Sequence, residues 1–127
     1  MKLRINGNSL RLRVSRSELA RFQSGERIEE TIHFAAAPEA KLTYALESAS
    51  QSSPVKVRYE SNVVTVVLSE ARARIWGVER EVGIYETVDA DSAGSLDVIV
   101  EKDFACLDRS DAENSDTFPN PHAAVTC

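Results

Sequence analysis

Residues 2–22 read KLRINGNSLRLRVSRSELARF, a hairpin running into a capped helix. Asn6-Gly7 is a strong two-residue turn signal, since both residues tolerate positive φ in a type I′ turn. That turn would set Leu3 opposite Leu10 and Met1 opposite Leu12. With the strand period of two, Leu3, Leu10, Leu12 and Val14 form one apolar face, and Lys2, Arg4, Arg11 and Arg13 form the other. Ser15-Arg16-Ser17-Glu18 has the spacing of a capping box: the serine oxygen takes the amide three residues on, and the glutamate reaches back. The helix is expected to end near Gly25.

A diverged copy begins at Lys56, KVRYESNVVTVVLSEARARIW, offset by 54. Leu10, Leu12 and Val14 map onto Val64, Val66 and Leu68, Ser15 onto Ser69, Phe22 onto Trp76, and Ile28 onto Val82. Strand, turn, cap, helix end and apolar phase recur together, and agreement across levels is hard to obtain by chance. Further strands are expected at 27–34 and 41–48, with Ile28, Ile32 and Phe34 in one phase. The expected fold is α+β: two pseudo-symmetric ββαββ repeats forming an eight-stranded, mostly antiparallel barrel or strongly curved sheet with two short helices. The organisation is one domain, 1–127: repeat one at 1–48, a polar joint at 49–55, repeat two at 56–104, and an unrepeated tail at 105–127.

The run Val63–Leu68 is apolar on both faces, which points to cover on both sides. Val63, Thr65 and Val67 are therefore candidates for contact with the tail, a helix or a second copy in a homodimer. A net charge of −5 argues against nonspecific nucleic-acid or anionic-membrane binding, since both need a positive field. No run approaches the ~20 apolar residues of a membrane span. Two cysteines are too few for a disulfide scaffold, so a cytoplasmic chain with reduced thiols is the simplest expectation.

Three constellations could carry chemistry. Lys2, Arg4, Arg11, Arg13 and Arg58 could bind a small anion or polyphosphate if they lined a cavity. The L-R-L-R alternation resembles triphosphate-tunnel phosphohydrolases, but their paired E-x-E-x-K glutamates are missing. If the cations instead pair with Glu47 and Glu101, that reading loses. Cys106, His122 and Cys127 could hold zinc with Asp108 or Asp116, yet their spacing fits no common zinc pattern. The acidic run Asp108, Asp111, Glu113 and Asp116 lacks the calcium-loop spacing. With no glycine-rich phosphate loop and no nucleophile elbow, the residues favour a non-catalytic binding or interaction module with no cofactor.

MKLRINGNSLRLRVSRSELARF at 1–22, with VEKDFACLDR at 100–109 and DTFPNP at 116–121, resembles a family of small uncharacterised bacterial proteins. The resemblance implies a cytoplasmic bacterial protein and brings no activity, cofactor or catalytic residue.

Overall fold

The computed structural model describes residues 1–78, 81–105 and 115–119. Along the chain run β1 (Lys2–Ile5), β2 (Ser9–Val14), α1 (Arg16–Gln23), β3 (Ile28–His33), β4 (Lys41–Ala49) and β5 (Val55–Glu60). There follow β6 (Val63–Ser69), α2 (Glu70–Trp76), β7 (Gly83–Asp89), a 3-10 turn at Asp91–Ala93, and β8 (Ser95–Lys102). Among the described residues no helix is long and apolar enough to cross a membrane.

The strands form two four-stranded mixed sheets, ordered β1-β2-β8-β7 and β3-β4-β6-β5. Each hairpin is antiparallel, and the hairpins within a sheet join through a parallel pair, β2 with β8 and β4 with β6. The expected barrel does not close; the pairings are mostly antiparallel, as expected, but each sheet is mixed through its one parallel pair. The reason is the helices. Each crosses from one sheet to the other, α1 from β2 to β3 and α2 from β6 to β7, so the next hairpin starts a new sheet instead of extending the old one. Parallel strands need such long connections between them, whereas hairpins do not.

Both inner sheet faces and both helices share one core. Leu10, Leu12, Val14, Ile84, Val98 and Val100 from one sheet meet Ile28, Leu46, Val55, Val66 and Leu68 from the other, with Leu19, Phe22, Ala73 and Trp76 from the helices. Phe22 and Trp76 meet edge to face, ring centroids 6.0 Å apart. α1 carries the expected capping box: Ser15 Oγ accepts from the Glu18 amide at 3.3 Å, and Glu18 Oε1 accepts from the Ser15 amide at 2.9 Å. Eight residues are too few for a helix to stand alone, so α1 depends on burying Leu19 and Phe22.

Four local expectations shift. The first hairpin turns on Gly7-Asn8, closed by backbone bonds between Asn6 and Ser9, and Gly7 has φ +57°. Only its first central residue is left-handed, which suits a type II′ turn. The register moves by two, so Leu3 faces Leu12 and Ile5 faces Leu10, while the core face is unchanged. The residue that faces Val100 as Ile28 faces Leu46 is Ile84, two positions beyond Val82. Ile84 is fully buried and Val82 is not. Ile32 and Phe34 share the phase of Ile28 but lie exposed beyond the end of the core.

β6 is buried on both faces, as its sequence requires. Among the described residues, long charged side chains of this chain lie across its outer face. Arg58 on β5 reaches across β6 to Glu47 on β4 at 2.7 Å, and an Arg27 guanidinium nitrogen donates to Thr65 Oγ1 at 3.2 Å. Thr65 and Val67 are thus buried within the protomer, and Val63 is half-buried. The stems of such side chains shield apolar surface while their heads stay wet.

Candidate functional site

Among the described residues, β5 and β7 are outer strands of different sheets, each paired on one side only. Between them lies a groove of about 640 Å3. β5 alternates: Val55 and Val57 pack toward the core, Tyr59 shares their phase, and Lys56, Arg58 and Glu60 take the opposite one. A tight turn at Ser61-Asn62, with φ of 51° and 63°, ends the strand and leaves Tyr59 largely exposed at the groove. From the other side come Glu86 and Val88 of β7, with Leu96 of β8. Asp89 and Asp91 stand at the rim with Lys56, so carboxylates outnumber cations.

Glu86 is the unexpected residue. It shares the inward phase of β7 with Ile84 and Val88, and its partner across the ladder is the fully buried Val98. A carboxylate at an inward position breaks the pattern that builds a core. The other seam, between β1 and β3, has a parallel feature. Glu30 lies in the inward phase of β3 with Ile28, and accepts from the Met1 ammonium at 3.2 Å. Glu18 binds the same ammonium, and the Tyr44 hydroxyl donates to the Met1 carbonyl at 3.2 Å.

The basic set does not converge on the groove. Arg13 Nε donates to Glu101 at 2.8 Å, Arg11 lies 3.5 Å from the same carboxylate, and Lys2 donates to Asp103 at 2.8 Å. Arg58 pairs with Glu47, which also holds Arg27 at 3.2 Å, and Arg4 is exposed. Lys2 and Arg13 border a smaller pocket of about 300 Å3, where Glu18, Asp103 and Asp116 match them with carboxylates. Lys2, Arg11, Arg13 and Arg58 are therefore engaged by Asp103, Glu101 and Glu47.

The tail returns to the body at residues 115–119. Phe118 bridges to Phe104, their rings 6.2 Å apart, and Lys102 Nζ sits 5.4 Å over the Phe118 ring. The Asp116 carbonyl accepts from the Arg16 amide, and its carboxylate accepts from the Ser17 amide and hydroxyl. Cys106, His122, Cys127, Asp108, Asp111 and Glu113 lie outside the described residues. Among the described residues, no three His, Cys, Asp or Glu side chains group so as to hold a metal.

Burial alone would raise the Glu18 pKa, but hydrogen bonds from the Met1 ammonium and the Ser15 amide together pull it below the ordinary 4.5. The Arg58 hydrogen bond, aided by Arg27, holds Glu47 low as well. Burial and the Glu101 charge raise the Tyr85 hydroxyl. A carboxylate depressed in the folded state stabilises it above the unfolded pKa, and that contribution fades as pH falls through the folded value. Urea unfolding should therefore show stability falling below about pH 4.5, and Glu47→Gln should flatten part of the fall. An unchanged slope in that variant would contradict the Glu47 assignment.

The model of a family of unknown function, DUF7009, matches residues 1–122. No curated protein and no solved structure matches the chain.

Proposed function

We propose that this chain, which belongs to that family of unknown function, is a binding module whose β5–β7 groove takes an extended peptide carrying a basic residue between apolar ones. The observation that carries the reading is Glu86: an inward-phase carboxylate beside apolar side chains, between two strands that stand at sheet edges among the described residues. Strand addition to such an edge supplies main-chain bonds, and alternate side chains supply specificity. Val57, Tyr59, Val88 and Leu96 would take the apolar side chains, and Glu86 the cation, as Glu30 takes the Met1 ammonium. Asp89 and Asp91 favour a basic partner. Lys56 and Arg58 on β5 disfavour pairing with a second β5.

The test is selection from a displayed peptide library on the wild-type chain. Apolar–basic–apolar peptides should be enriched, and Glu86→Gln should weaken the best of them at least about tenfold, the loss of one charge-assisted bond. No enrichment, or equal binding to the variant, would remove the reading.

We also infer that the chain is one ββαββ unit used twice about a pseudo-two-fold axis. The ladder registers support this. Leu10 pairs with Val98 and Val64 with Tyr44, so a step of 54 converts one pair into the other. Every rung of β2–β8 has such a counterpart in β4–β6. β1–β2 and β5–β6 match too, Leu3 with Leu12 and Val57 with Val66. Phe22 and Trp76, one step of 54 apart, touch each other, as positions on a two-fold axis do. Gln23 likewise lies against Gly77.

A further inference from the structure

We infer that the surface joining the two halves fits a second copy of this chain, so that two chains can exchange halves into a dimer. The inference rests on the two-unit reading above. Neither half contains a complete sheet. β1 and β2 need β8, and β4 needs β6, so both sheets are assembled only when the halves meet. The two parallel ladders that join them have the same register in both sheets. A surface that meets its own counterpart in this way is isologous, and the same contact can form within one chain or between two. The shared core reinforces it, since Leu10, Leu12, Phe22 and Leu46 of one half bury against Val66, Trp76, Val98 and Val100 of the other.

What keeps the contact within one chain is the joint between Ala49 and Val55. β4 and β5 flank β6 on either side. Their ends are therefore about two strand spacings apart, roughly 10 Å. The joint crosses the end of β6, and Gln51 secures it by donating to the Val67 carbonyl at 3.2 Å. Deleting 50–53 would leave Pro54 alone, with a reach of about 7 Å, too short for the crossing. The second half must then find its place on another chain.

The experiment is size exclusion with light scattering on the full chain lacking only 50–53. The expected result is a species of twice the chain mass with the wild-type far-UV circular dichroism. A monomer with that spectrum would overturn the inference. Should the shortened chain fail to fold, a mixture of two full-length chains decides the matter. Leu12→Asp disables the first half and Val66→Asp the second, each at a site 1% exposed. Co-refolded from urea, the pair should regain native Trp76 fluorescence that neither regains alone. A mixture no better than its components would overturn half exchange. The two-unit reading is tested separately by amide exchange in the wild type, where Leu12 and Val66 should be protected alike. Unequal protection would overturn that reading, whatever the mixture shows.

Discussion

Trp76→Ala is expected to destabilise the protein by about 3–5 kcal/mol, the range for removing a large aromatic from a packed core. Trp76 is the largest fully buried side chain, and it contacts Phe22 at the junction of the two helices. Its indole nitrogen donates to the Val82 carbonyl at 3.4 Å, tying α2 to the chain entering β7. Truncation removes the aromatic contact and leaves a cavity under both sheets, while the Val82 carbonyl keeps the Lys102 amide, at 3.0 Å. A domain of this size has a total stability of about 5–15 kcal/mol, so the loss is a large fraction of it. Urea unfolding followed by circular dichroism reads the effect; a cost below about 1 kcal/mol would mean the helix junction is not the centre of the core. Trp76→Phe should recover much of the loss, because it retains an aromatic against Phe22.

Gly83→Val is the second large effect. Gly83 faces Glu101 across the β7–β8 ladder and is buried. A Cβ at this position would stand 2.8 Å from both the Glu101 Cβ and the Val100 carbonyl oxygen. One of those neighbours is backbone, so β7 must shift against β8. Overpacking of this kind costs about 1–3 kcal/mol, and the two valine methyls put the change at the upper end. The same shift pushes Glu101 away from Arg13 and Arg11, which hold it on the outer face. Gly7 offers the contrast, since a Cβ there meets nothing within 4 Å and only the positive φ opposes substitution. If Gly83→Val unfolds at the wild-type urea concentration, the tight approach of β7 to β8 is wrong.

The parts of this fold that were legible from residues are those decided within a few positions. The capping box at Ser15 and Glu18, the alternation Leu10-Arg11-Leu12-Arg13-Val14 and the two-sided burial of Thr65–Leu68 follow from local spacing, and the structure shows each. Strand partners were not legible. A hairpin looks the same whether its outer strand goes on to pair antiparallel in a barrel or parallel with a distant strand. Only the paths of α1 and α2 between sheets decide that. The turn at Gly7-Asn8 shows the same limit in miniature, because Asn6-Gly7 and Gly7-Asn8 both suit a two-residue loop, and a shift between them preserves the core face.

The candidate site was hidden for a related reason. Lys2, Arg4, Arg11 and Arg13 form a visible pattern, and Glu101 was a foreseeable partner for it, but Asp103, which engages Lys2, lies far along the chain and was not. Glu86 left a small trace: a carboxylate between Ile84 and Val88 in a strand of period two. That trace acquires meaning only when β5, from another hairpin in the other sheet, is placed beside it.

The most direct measurement is backbone amide exchange with and without a peptide selected on the groove. Added protection confined to the edge amides of β5 and β7, lost in Glu86→Gln, is the expected result. Protection appearing instead along β1, or on the outer faces around Arg11 and Arg58, would contradict a strand-binding groove and return the function to the basic surface.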